Sequence, residues 1–203
     1  YGDGALSLAS DETCGRIRKD VPVMTRASVL GTGTMDSVLV GWSPPTELDV
    51  LAFGGPYRYE LMGRPMDGQE EGWSPLWLSP AESDLLALDT LVNVPNLDTE
   101  ALAWAFQILL YSGSDLVGVP PPASTPRLTL VPDDNRLALQ IAQEAPWRVE
   151  SYIIERQVPT GGAYTVLDTV SLPLFVDSGL VNGPTYCYRV TTVGGYDDPT
   201  TES

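Results

Sequence analysis

The sequence contains no histidine, one lysine (Lys19) and two cysteines, and each shortage removes a class of function. Without histidine, a serine or cysteine nucleophile has no ordinary base beside it, and the commonest metal ligand is missing. Cys14 and Cys187 stand far apart and in no CxxC spacing, so no zinc site is expected. The pair reads as two buried thiols or one disulfide, and a disulfide implies an oxidising, extracytoplasmic setting. Positive charge is scarce too: 11 Lys and Arg face 27 Asp and Glu, for a formal charge of −16. The only basic cluster is Arg16-Ile17-Arg18-Lys19, so neither nucleic acid nor an anionic membrane surface is an expected partner. The longest apolar run, Ala101–Tyr111, is broken by Gln107 and too short to span a bilayer, so no membrane insertion is expected. With no initiator methionine and no signal-like segment, Tyr1 reads as a processed or excised start.

What is present points to strands. Eighteen prolines and nineteen glycines punctuate short β-branched and aromatic runs, the pattern of an all-β protein. An apolar content of 43% with 19% charged residues belongs to a folded chain rather than a disordered one. The 203 residues have room for one or two domains. Glu100–Leu110 is the only stretch that reads as either helix or buried strand, and Asp84–Leu88 is too short to decide.

The organising stretch is Thr185–Val193. Tyr186, Tyr188 and Val190 alternate with Cys187, Arg189 and Thr191, the period of a half-buried strand. Leu180 lies six residues before Tyr186, a spacing suited to a corner in which a tyrosine hydroxyl bonds back to the chain upstream. Such a strand is central in its sheet, yet Gly194–Ser203 offers almost nothing apolar to pair with it. Earlier, Val38, Val40 and Trp42 share a face ahead of Pro44-Pro45, and Tyr57–Leu61 alternates. Pro120-Pro121-Pro122 marks a junction and, as a polyproline run, predicts a roughly extended relation of the two halves. Beyond it the order recurs: Trp147, then Tyr152–Arg156, then Leu180 before an aromatic strand, an internal repeat. The reading is residues 15–118 as one module and 119–203 as a second, with 1–14 as a separate leading strand, Ala5-Leu6-Ser7-Leu8-Ala9, ending at Cys14.

These residues resemble tandem fibronectin type III modules. The motifs are Val38-x-Val40-x-Trp42-x-Pro44-Pro45, Tyr57-x-Tyr59, and Leu180-(x5)-Tyr186-x-Tyr188-x-Val190. Trp42–Pro45, Gly55–Leu61, Leu97–Thr99 and Tyr186–Tyr196 are similar to the repeats of Bacteroidetes gliding-motility and cell-surface proteins. The first module departs from the pattern, with Trp104 near the corner and one residue more between it and Leu97. The resemblance implies seven-stranded sandwiches, export to the bacterial cell surface, and an adhesive or structural rather than enzymatic role. It also implies a final strand after the Gly-x-Tyr turn, often ending at a cysteine that pairs with the one in the preceding strand. Residues 1–14 look like such a strand, so the second module reads as lacking its last strand. Two readings stay open: Ala5–Ala9 completes a module of another copy, sealed by an interchain Cys14–Cys187 disulfide, or the chain is a window of a longer repeat protein whose preceding repeat it completes. Insertion into its own second module would require a sharply folded pair of sandwiches, against the stiff proline run.

The remaining candidates are weighed against simpler roles. Trp73 and Trp77 are candidate glycan contacts, although packing on the sandwich explains them as well. Glu70-Glu71 reads as solvated loop charge rather than a glycosidase pair. Asp133-Asp134 and Asp197-Asp198 read as turn residues rather than calcium ligands. No catalytic residue, cofactor or metal is expected. The expected partners are copies of the chain arranged head to tail, with a surface glycan or an outer-membrane anchor as further candidates.

Overall fold

The computed structural model describes residues 21–31, 33–66, 72–158 and 161–196. The leading segment Ala5–Ala9, Cys14, Glu70-Glu71 and Asp197-Asp198 lie outside them. The described chain forms two antiparallel sandwiches, all-β as expected. In the first, β1 (Val23–Val29), β2 (Asp36–Ser43) and β5 (Leu91–Leu97) form one sheet in the order β1-β2-β5. The facing sheet runs β4 (Ser74–Leu78), β3 (Tyr57–Pro65), β6 (Trp104–Ser112), β7 (Asp115–Gly118), and β8 (Ala123–Ser124) also pairs with β6. In the second, β13 (Leu174–Ser178), β10 (Arg136–Ala142) and β9 (Arg127–Asp133) face β12 (Tyr164–Val170), β11 (Arg148–Gln157) and β14 (Cys187–Gly195), in the orders β13-β10-β9 and β12-β11-β14.

Alternation explains the first core. Tyr57, Tyr59, Leu61 and Gly63 on β3 face Ile108 and Leu110 on β6, while the residues between them are less buried. Trp42 fills the centre, edge-on to Tyr59 with ring centroids 5.4 Å apart. The ambiguous stretch resolves as strand β6, because its apolar residues alternate across a sheet with partners on both sides. The short one contains a single 3-10 turn, Leu85–Ala87, capped by Asp84.

Both sandwiches close their corners, by different chemistry. In the second, Tyr186 Oη donates to Val181 O (3.1 Å) and accepts from Val181 N–H (3.0 Å), beside the buried Leu180. In the first, the indole N–H of Trp104 donates to Asp98 O at 2.9 Å. The departure noted in the sequence therefore keeps the corner bond and changes its donor.

The two sandwiches are more tightly joined than a stiff proline run predicts. The first sheet reaches past the expected 118/119 boundary, since Ala123-Ser124 still pairs with Phe106 and Ala105. Arg64 pairs with Glu144 (3.4 Å), Arg127 donates to Met66 O (3.1 Å), and Trp147 packs against the first core. Tyr196 Oη donates to Met24 O at 2.7 Å, tying the residue after β14 to the start of β1. These contacts replace the expected extended relation: burying Trp147 and pairing Arg64 with Glu144 hold the halves together along their flanks. Val21, where the described chain begins, lies so close to Gly118 that any side chain at 118 would collide with it.

The cores differ in size. The second centres on Leu139, Ile141 and Ile154 alone, whereas the first buries side chains from β1 through β8. Calorimetry is expected to show two transitions, because unfolding free energy follows buried apolar surface. Leu139→Ala should lower only the first transition and Ile108→Ala only the second, each by roughly 3 kcal/mol; one transition moved equally by both would contradict this. A second expectation concerns Tyr59. Burial pushes its hydroxyl up to about 12, an effect the neighbouring Trp42 indole only partly offsets. Neither group has a hydrogen bond of ordinary geometry among the described residues. A raised native value means stability is fully present below about pH 10 and is lost as pH rises toward 12. Tyr59→Phe should leave stability at pH 7 within about 0.5 kcal/mol and soften that alkaline loss, measured by denaturant titration.

Candidate functional site: the open edge of the second sandwich

Strand β6 in the first sandwich and β14 in the second hold equivalent places, and they are finished differently. On one side β6 pairs with β3, on the other with β7 and β8. Those outer strands plug the core with Val117 (2% exposed) and Ala123 (0%). On one side β14 pairs with β11 from Gln157↔Cys187 to Arg148↔Gly195, and among the described residues no strand pairs its other edge. Among the described residues its outer N–H and C=O groups therefore have no ladder partner.

The side chains agree. Leu130 on β9 lies in register with Leu139 and Phe175, whose row faces the core, yet it is 39% exposed. Leu128, Leu130, Tyr188 and Val190 all line an open cleft of ≈ 900 Å³ between β9 and β14. Its far wall belongs to the first sandwich: Ala27–Leu30 and Thr99–Ala103. The cleft occupies the place that β7 and β8 fill in the first sandwich.

The residues singled out from the sequence fall as follows. Tyr188 and Val190 face the core along the open edge. Tyr186 precedes β14 and serves the corner, with its ring under the Arg156 guanidinium at 5.8 Å from the centroid. Cys187 is the first residue of β14, two residues later than the expected stretch begins, because the corner consumes Tyr186; it is half-buried and carries a free thiol. Trp77 is set against Trp42, with centroids 5.9 Å apart, and Trp73 stacks with Arg64 at 5.1 Å. Both rings are thus engaged within the first sandwich. Asp133 is held by Arg136, whose hydrogen bonds keep its carboxyl below the usual range, and Asp134 accepts from Asn182 at 2.9 Å. Both carboxylates serve the β9–β10 hairpin, where Asn135 takes a left-handed φ of 55°.

One cluster went unread in the sequence. Asp177 on β13 is buried (7% exposed) and accepts from Arg156 (2.7 Å) and from Tyr188 Oη (2.7 Å), bridging the two sheets. Burial, and then the bond to Asp177, raise the Tyr188 hydroxyl above the usual tyrosine range. The tie fixes β14 against the opposite sheet from inside, leaving its outer edge as the unsupported one. Only the Asp177-x-Gly179-Leu180 run at the end of β13 hinted at it, and that looks like an ordinary turn.

Asp177→Ala should cost roughly 3 kcal/mol by stranding Arg156, and Tyr188→Phe about 1 kcal/mol. The double variant should lose less than the sum, as a double-mutant cycle would show; full additivity would mean the three groups do not act together.

No family model and no curated protein matches the sequence. Among solved structures it is similar to the FN1-FN3 domains of chicken CNTN1, at 11% identity and TM-score 0.30 over 86% of this chain and 67% of that one. It is also similar to the central fibronectin-III array of RIM-binding protein, at 12% identity and TM-score 0.35 over 89% and 68%. Superpositions this loose carry no argument, so the fold rests on the strand order: three strands facing five in the first unit, with β7 and β8 sharing one edge of β6, and three facing three in the described part of the second. The fold is that of two tandem fibronectin type III-like sandwiches.

Proposed function

We propose that this chain is a non-enzymatic structural subunit of a bacterial surface filament or repeat protein, assembled head to tail by strand complementation outside the cell. The open edge of β14, with inward-facing Leu130 left exposed beside it, supports this reading. The occupant is Ala5–Ala9 of another copy: Leu6 and Leu8 alternate with small residues, as a strand covering Leu128, Leu130 and Val190 must. Joined this way, each copy gives its leading strand to one neighbour and takes one from another, a head-to-tail contact that propagates wherever it does not close on itself.

Energetics explain why a covalent lock belongs in the scheme. Burying Leu6 and Leu8 contributes roughly 2 kcal/mol each, and about five ladder hydrogen bonds roughly 1 kcal/mol each. Ordering five residues costs roughly 1–2 kcal/mol apiece, so the sum lies within a few kcal/mol of zero. A Cys14–Cys187 bond, formed after docking when an oxidant outside the cell (dioxygen or a small disulfide) takes up the two electrons and two protons, would turn a marginal joint into a permanent one; Cys187 is the first residue of β14. The absence of histidine from the whole sequence favours a structural over a hydrolytic role.

Assembled material collected by sedimentation should run as a ladder of oligomers on denaturing gels without reductant and as single chains with it. Cys187→Ser should remove the ladder, and Leu6→Asp with Leu8→Asp should remove the sediment itself. Sedimented wild-type protein that runs as single chains without reductant would rule out the interchain bond.

A further inference from the structure

We infer that Asn182-Gly183 is a self-modification site. The Asn182 side chain closes onto the Gly183 nitrogen, loses ammonia, and opens to an aspartate or isoaspartate that releases the corner of the second sandwich. The site lies in the loop between β13 and β14.

The sequence singles out this asparagine. Ring closure requires the next residue's backbone nitrogen to reach the asparagine Cγ, and a side chain on that next residue obstructs the approach. Asn93 precedes Val94, Asn96 precedes Leu97 and Asn135 precedes Arg136, whereas Asn182 precedes glycine. Gly183 has a φ of 111°, and no atom beyond its chain neighbours lies within 4 Å of where a Cβ would stand. Residues 181–185 are all exposed, so water reaches the ring once it forms. Among the described residues the Gly183 N–H donates to no acceptor.

The groups around the amide assist its conversion. Asn182 Oδ1 accepts the Asn135 N–H at 3.3 Å, so charge that gathers on this oxygen during attack meets a fixed donor. Nδ2, the departing atom, donates to Asp134 Oδ1 at 2.9 Å. Gly183 N gives its proton to solvent hydroxide and bonds to Cγ. The Cγ–Nδ2 bond breaks, and Nδ2 takes a proton from water and leaves as ammonia. Water then opens the cyclic imide at either carbonyl. Opening at Cγ gives aspartate; opening at the main-chain carbonyl gives isoaspartate, whose backbone runs through Cβ and is one atom longer. Nothing is oxidised or reduced.

Both products disturb the corner. A carboxylate at 182 has no N–H to offer Asp134 and repels its charge. The loop is clamped there on both sides: Leu180 N–H donates to Asn135 O at 2.9 Å, and Val181 N–H donates to Tyr186 Oη at 3.0 Å. Losing the Asn182 tie, or lengthening the chain directly after it, draws Val181 off the Tyr186 hydroxyl, immediately ahead of Cys187 at the start of β14. Ammonia escapes to solvent, so the change runs one way and accumulates with the age of the molecule.

The test uses the full-length chain, held in warm, mildly alkaline buffer made with heavy-oxygen water and then digested by trypsin in ordinary water. Peptide 157–189, bounded by cuts after Arg156 and Arg189, is compared with synthetic asparagine, aspartate and isoaspartate standards. Asn182 should convert with uptake of heavy oxygen, while Asn93, Asn96 and Asn135 keep their amides. In the converted fraction the Val181 N–H should exchange about tenfold faster, the effect of losing roughly one hydrogen bond. Asn182→Asp should show the same faster exchange without ageing. Should that variant not fold, converted wild-type protein, separated by its added negative charge, supplies the measurement. An amide kept in the folded chain but lost from the same chain in urea would mean that the fold protects the site, and would overturn the inference. Retention in both states would overturn it too, as would conversion that leaves Val181 exchange unchanged.

Discussion

A strand in the middle of a sheet hands half of its backbone groups to each neighbour, and the interior it covers depends on both neighbours being present. In the first sandwich that condition is met: β6 lies between β3 and the pair β7 and β8, and the side chains beneath are sealed. In the second, β14 has β11 on one side only among the described residues. The small core, the exposure of inward-facing Leu130 and the cleft lined by Tyr188 and Val190 all lie along that edge. The bridge from Arg156 and Tyr188 to Asp177 is the compensating feature, holding the unsupported strand to the opposite sheet by buried polar bonds.

Much of this was legible in the chain. Period-two alternation placed β2, β3 and β14, and the Leu180–Tyr186 spacing pointed to the corner down to its donor. Among the described residues β14 pairs with β11 alone. Other features were hidden for physical reasons. An indole standing in for a hydroxyl at the first corner keeps the bond but breaks the motif by which a corner is recognised. The Asp177 bridge joins residues from three strands, so no local spacing announces it. The seam between sandwiches depends on Arg64 meeting Glu144 and on Trp147 reaching a core built from residues far upstream. Proline stiffness, a local property, could not foresee contacts set by long-range packing.

The placement of the five tryptophans has a practical side. Trp42, Trp73, Trp77 and Trp104 all sit in the first sandwich, and Trp147, the second unit's sole indole, is turned against the first core and lies 6.4 Å from the Tyr196 ring. Indole emission therefore watches the first unit and the seam, while the interior around Leu139 and Ile154 contains no indole reporter of its own. An optical melt would see the second sandwich only when its opening tugs on that one ring.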